Sequence, residues 1–129
     1  MIAVDTSALM AILLREPFAD ECKAALGADD HPLISAGTLT EALIVAGARG
    51  LHAEMDDLIN RVGCEIIPVT ADAARRAATA HARWGRGAKT AGLNFGDCFA
   101  YDVAKQNRCP LLYVGRDFAK TDVKSALSP

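Results

Sequence analysis

Ile2-Ala3-Val4-Asp5-Thr6-Ser7-Ala8-Leu9 is the stretch that decides the fold: an apolar run stops at an acid and two hydroxyls, and a helical pattern then continues to Leu14. A short apolar run of this kind reads as a strand, and Asp-Thr-Ser behind it can cap the helix that follows. Pro17 breaks or restarts that helix, residues 18–26 continue in helical style, and Gly27-Ala28-Asp29-Asp30 closes the segment. The same grammar repeats downstream. Leu33-Ile34-Ser35 is a second strand, and Thr38-Leu39-Thr40-Glu41 has the form of a capping box, which predicts a helix from there to about Arg49. A further helix over roughly 51–62 closes at Gly63, Glu65 to Val69 is the third strand, and Thr70 caps a helix from Ala71 to about Trp84. Gly85 to Gly92, with three glycines and two bases in eight residues, reads as the most flexible stretch. Asn94 or Gly96 opens a helix from Asp97 to about Asn107, Leu111 to Val114 is the fourth strand, and a short polar tail follows the turn at Gly115-Arg116-Asp117.

Strands alternating with helices imply one α/β domain over residues 1–129, a three-layer α/β/α sandwich with a central, mainly parallel sheet. The totals agree. At 129 residues the chain can bury a full core, and 51% of it is apolar while only 5% is aromatic, so that core is built from Ala, Leu, Val and Ile. Cys22, Cys64, Cys98 and Cys109 stand far apart, with neither a CxxC nor zinc spacing, which favours reduced thiols. No apolar run approaches the roughly 18 residues needed to span a bilayer, and no secretory leader is visible, so the expected location is the cytosol, away from membranes.

In parallel sheets function collects beyond the carboxyl ends of the strands. Asp5 follows the first strand, Glu41 lies at the start of the helix after the second, Asp97 starts the helix before the fourth, and Asp117 follows the fourth. Each has a structural reading too: a cap for Asp5, a capping-box partner for Glu41, a first-turn macrodipole residue for Asp97, a turn residue for Asp117. Together they make a different case, because gathered carboxylates repel unless a hard cation sits among them. Magnesium and manganese suit oxygen ligands, and such an ion can activate water against a phosphodiester without a serine–histidine nucleophile. His31, His52 and His81 are scattered, and no dinucleotide or P-loop glycine pattern completes itself. Net charge is −2, but residues 1–74 carry twelve acids and four bases while residues 75–129 carry ten bases and four acids. That asymmetry fits a polyanion partner as well as ordinary solvated surface.

At Val4-Asp5-Thr6-Ser7-Ala8-Leu9, at Ser35 through Glu41, at Ala91-Gly92-Leu93-Asn94-Phe95-Gly96-Asp97-Cys98-Phe99-Ala100-Tyr101 and at Leu111 through Phe118, the chain resembles the PIN-domain ribonucleases, and among them the VapC-type toxins of bacterial toxin–antitoxin pairs. The stretch ending at Asp97-Cys98 is the most specific part of the likeness. The resemblance implies a metal-dependent endoribonuclease that hydrolyses RNA with metal-activated water, leaving a 5′-phosphate and a 3′-hydroxyl. It implies Mg2+ or Mn2+ as cofactor and Asp5, Glu41, Asp97 and Asp117 as the acids, with Asp5, Asp97 and Asp117 on the metal and Asp122 as the fallback for the fourth. Thr6 and Ser7 match polar positions that orient the acids. Arg116 stands where some relatives carry an acid, and with Arg83, Arg86 and Lys89 it is a candidate RNA contact. A homodimer and a cognate VapB-type antitoxin are the implied partners. The Ala-rich helices beginning at Ala42 and Ala71 offer flat faces for contact, although such faces are also ordinary core. A PIN-like module that binds antitoxin or RNA and cleaves nothing is the alternative.

Overall fold

The computed structural model describes residues 1–87 and 91–127. Its elements are β1 (Ala3–Val4), α1 (Thr6–Leu13), α2 (Ala19–Gly27), β2 (Leu33–Ser35), α3 (Ala36–Gly47), α4 (His52–Val62), β3 (Glu65–Ile67), α5 (Ala71–Trp84), α6 (Asp97–Gln106) and β4 (Leu111–Leu112). The strands pair in the order β3-β2-β1-β4, all parallel. Ala3 lies beside Leu33 and Leu111, and Val4 beside Leu112. Successive strand residues face opposite ways, so this register sorts the core into two. Ala3, Leu33 and Leu111 pack with Ala77 and Ala80 of α5 and with much of α6. Val4, Ile34 and Leu112 pack with Leu9, Cys22, Ala42, Ala46 and Met55 of α1 to α4. Two helical layers around one sheet result, as the sequence implies.

Helix starts explain where the acids go. Asp5 caps α1 by accepting from Ser7 N at 3.0 Å, and Thr70 caps α5 by accepting from Ala73 N at 3.1 Å. α3 departs from expectation. It begins at Ala36, with Ser35 Oγ accepting from Gly37 N at 3.1 Å, so the capping box of Thr38 and Glu41 does not form. Thr38 is buried inside the helix with its Oγ1 unpartnered, and the Glu41 side chain is released for another use. Ser35 wins the cap because it ends β2 and turns directly into the helix.

The carboxyl end of the chain also differs from the polar tail expected. β4 is only two residues long, and Tyr113 and Val114 leave the ladder. The chain then returns: Ser125 bridges Leu111 in parallel, with Leu111 N donating to Lys124 O at 2.8 Å and Ala126 N to Leu111 O at 2.9 Å. This return covers the outer edge of β4, which limits an otherwise open strand edge. Phe118 and Val123 anchor it in the core.

The alanines of α3 and α5 are partly core and partly surface. Ala42, Ala46, Ala73, Ala77 and Ala80 are buried, while Ala74 and Ala78 of α5 are exposed, and Met1, Phe18, Ile44, Val45, Ile66, Val69 and Phe95 are the large apolar side chains left exposed among the described residues. Part of the flexible stretch expected between Gly85 and Gly92 lies outside the described residues; its ends are joined by a bridge from Gly85 to Leu93. All four cysteines are free thiols. No helix among the described residues is long and apolar enough to cross a membrane. The strand order runs outward from β1 to β3 and then returns to place β4 on the other side of β1, so the direction of winding reverses between β1 and β4. Such a reversal opens a crevice at the carboxyl ends of the two strands.

Candidate active site

Asp5 leaves β1 at that crevice and is 3% exposed. Its Oδ2 accepts from Ser7 N at 3.0 Å and Ser7 Oγ at 2.6 Å, while its Oδ1 is buried with no partner. Ser7 Oγ in turn accepts from Val114 N at 3.0 Å, so one hydroxyl links the acid to the chain leaving β4. Glu41, one turn into α3, accepts at Oε1 from Thr6 Oγ1 at 2.6 Å. The rest of its carboxylate occupies the place a Cβ at residue 96 would take, so Gly96 leaves the gap that admits it. Asp97 opens α6 and is 6% exposed. Its Oδ2 accepts from Asn94 N at 3.0 Å, and its own N donates to Asn94 Oδ1 at 2.9 Å. Asp117 sits exposed on the segment after β4.

The charges of these groups act on one another. Burial pushes the Asp5 carboxyl up to about 6, the Ser7 hydrogen bonds oppose that rise, and the Glu41 charge adds to it. Burial also pushes Asp97 up to about 7, against the Asn94 hydrogen bond, with the charges of Asp5, Asp117 and Glu41 adding. Four acids from four parts of the sequence thus share one field. No group of three or more His, Cys, Asp and Glu side chains among the described residues is drawn close enough to hold an ion outright. The donor set nevertheless fits a hard cation: it is all carboxylate oxygen, and a buried Asp5 Oδ1 without a hydrogen bond is an expensive atom to leave unpaired.

Asp122 does not join the acids. Tyr101 donates to its Oδ1 at 2.5 Å, Lys105 Nζ lies 3.3 Å from Oδ2 and Arg83 Nη1 3.8 Å. Burial alone would raise its carboxyl, but Tyr101, Lys105 and Arg83 hold it below the usual carboxylate range. Arg83 also lies over the Trp84 ring, 4.5 Å from its centroid, so that base is engaged on the flank of the molecule. Arg86 and Arg116 are exposed. Lys89 lies outside the described residues. Thr6 and Ser7 touch Glu41 and Asp5 respectively. Two contributors, Asn94 and Gly96, read from sequence only as helix openers and carry no site role there. The signal for the first was present, since Asn94-x-x-Asp97 has capping-box spacing; the gap at Gly96 depends on a helix far away in the chain.

The family model for the PIN domain matches residues 2–124. Ribonuclease VapC30 of Mycobacterium tuberculosis is 39% identical over 131 residues, covering 99% of this chain and 100% of the relative. Among solved structures, the fold matches the sarcin-ricin loop cleaving toxin VapC20 of Mycobacterium tuberculosis with a TM-score of 0.78 and 18% identity, over 100% of both chains. A toxin–antitoxin complex from Klebsiella pneumoniae matches with a TM-score of 0.70 and 22% identity, over 95% of this chain and 93% of that one. With its winding reversal and this likeness along its length, the chain belongs to the PIN domain family and, within it, to the VapC ribonucleases.

Proposed function

We propose that the chain is an endoribonuclease toxin dependent on Mg2+ or Mn2+, with Asp5, Glu41, Asp97 and Asp117 as its working acids. The observation that carries the metal reading is Asp5 Oδ1, buried and unpartnered beside acids whose charges raise one another. Asp5, Asp97 and Asp117 would hold the ion. When bound, a divalent cation supplies positive charge for the phosphodiester and makes a nearby water easier to ionise. The chain's own groups do the remainder. Thr6 fixes Glu41 beside Asp97, where its carboxylate can take a proton from water, and Ser7 ties Asp5 to the segment bearing Asp117.

RNA is the substrate class that fits an acidic site flanked by exposed bases. Arg86 and Arg116, with Lys89, are the phosphate contacts we assign; Arg83 contributes less because Asp122 and Trp84 already engage it. A homodimer would cover the exposed Ile44, Val45, Ile66, Val69 and Phe95; Val69 and Phe95 border an apolar groove of about 440 Å³ that Ala74, Ala77 and Ala78 of α5 also line. A cognate antitoxin is the inhibitor we expect, since a matching fold occurs in a toxin–antitoxin complex, and the cytosol is where toxin, antitoxin and RNA would meet.

The test is cleavage of structured RNA by purified protein, with Mg2+ or Mn2+ added and with Asp97→Asn as control. Metal-dependent cleavage that Asp97→Asn abolishes supports the enzyme, and sequencing the fragment ends then identifies the bond. RNA or antitoxin binding without cleavage under either metal overturns it in favour of a binding module.

A further inference from the structure

Three acids of the site share a feature: each has one oxygen engaged by a nearby donor. Asp5 gives Oδ2 to Ser7, Glu41 gives Oε1 to Thr6, and Asp97 gives Oδ2 to the Asn94 backbone. For Asp97 the arrangement is reciprocal, because the Asn94 side chain accepts from the Asp97 N–H at 2.9 Å. Asn94 is itself held in place. Its carbonyl accepts from Cys98 Sγ at 3.3 Å, and the preceding Leu93 is fully buried, with its N–H donating to Trp84 O at 3.0 Å. The acid and its partner therefore lock each other, and Asp97 Oδ1 accepts no hydrogen bond among the described residues.

We propose that Asn94 is a positioning residue that makes Asp97 a one-oxygen ligand, so that the site prefers a small six-coordinate divalent cation, Mg2+ or Mn2+, to Ca2+. The inference rests on the metal-dependent reading above and adds to it a cause for cation choice. Ca2+ takes six to eight oxygens and often chelates both oxygens of a carboxylate, whereas Mg2+ takes single oxygens in a strict octahedron and keeps several waters. A carboxylate whose second oxygen is bound to a backbone N–H suits the latter. Asp5, with Oδ2 engaged and Oδ1 bare, presents the same single oxygen.

The experiment measures cation binding without RNA. Mn2+ is titrated into the purified protein and followed by electron paramagnetic resonance, and Ca2+ is measured by competition against it. Asn94→Ala and Asn94→Gly both remove the Oδ1 acceptor, and glycine is nearly neutral at a helix cap, so the second variant keeps the helix start. Both should weaken Mn2+ binding about tenfold, the scale seen when a group orienting a metal ligand is lost. Ca2+ binding should weaken less, so the preference for Mn2+ narrows several-fold, and Asn94→Ser, which restores an oxygen acceptor, should recover it. A cap that merely stabilises α6 predicts a lower melting temperature for Asn94→Ala with the Mn2+ to Ca2+ ratio unchanged in all variants; that result overturns the proposal. Wild-type protein that binds neither cation overturns it together with the metal reading. Wild-type protein that shows the preference, loses it in Asn94→Gly, and yet cleaves no RNA supports the inference and removes the nuclease reading alone.

Discussion

Glu41 is the acid whose place depends most on its neighbours, since a hydroxyl on one side and a missing side chain on the other hold it. Thr6 Oγ1 donates to it at 2.6 Å, and Gly96 leaves room for the rest of its carboxylate. Thr6→Val keeps the shape and removes the donor. Cleavage should fall about 10- to 100-fold, the usual loss when an orienting partner is removed, and Thr6→Ser should restore most of it. Gly96→Ala pushes a methyl into the carboxylate from the other side and should also reduce cleavage; steady-state rates on one RNA substrate compare the variants. Equal rates for wild type, Thr6→Val and Gly96→Ala would show that the position of Glu41 does not matter to catalysis.

The elements carry these side chains, and the chain after β4 is the one whose two acids must be told apart. Asp117 stands near enough to Asp97 for its charge to raise it, whereas Asp122 is taken up by Tyr101, Lys105 and Arg83. Asp117→Asn should therefore lower cleavage at least tenfold, and Asp122→Asn should leave it within about twofold while costing roughly 1–2 kcal/mol of stability through its lost charged hydrogen bonds. Urea unfolding and RNA cleavage, measured on both variants, separate the two roles. Nearby, Arg76 pins α5 to α6 with bonds of 2.7 and 3.2 Å to the buried Asp102. Arg76 is 40% exposed and can return to water, so Asp102→Asn should cost only about 1–3 kcal/mol, read from the same urea curves, with no change in cleavage. At this scale most of the fold was legible, because β1 and β2 end in a polar step that caps the next helix and Thr70 caps the helix after β3. The start of α3 differs from the one the sequence suggests, because Ser35 and Thr38 are both good caps and only the end of β2 favours the first. The return at Ser125 was hidden, because a single bridge leaves no apolar run behind. Asp5, Asp97 and Asp117 could be picked out because they stand at element ends, and Glu41 because it lies early in the helix after β2. The Thr6–Glu41 contact could not, because it joins residues 35 apart in sequence.

Across the whole molecule, the site sets stability against charge. Burial raises Asp5 and Asp97 from the ordinary 3.8 of a carboxyl to about 6 and about 7. The folded chain therefore holds protons between pH 4 and 7 that the unfolded chain has lost. Unfolding releases them, so the free energy of unfolding falls as pH rises through this window and levels off above about pH 7. Both acids are buried, and the ionised pair opposes folding by an amount on the order of a few kcal/mol at pH 8. Acids with lowered values, such as Asp29 and Asp122, lose their contribution only below the ordinary carboxylate range, outside this window. In EDTA the protein should melt several degrees higher at pH 5.5 than at pH 8, and Asp97→Asn should flatten that slope and raise the melting temperature at pH 8. Excess Mn2+ at pH 8 should raise the wild-type value and leave Asp97→Asn nearly unmoved, because an ion that binds only the folded state stabilises it. Cleavage should follow the opposite course, rising with pH and reaching a plateau above about 7 as the acids become free to bind metal. Differential scanning calorimetry across the pH series, with and without Mn2+, checks the stability half of the argument. A melting temperature that is level from pH 5.5 to 8 and indifferent to Asp97→Asn would mean that the acids do not share one field.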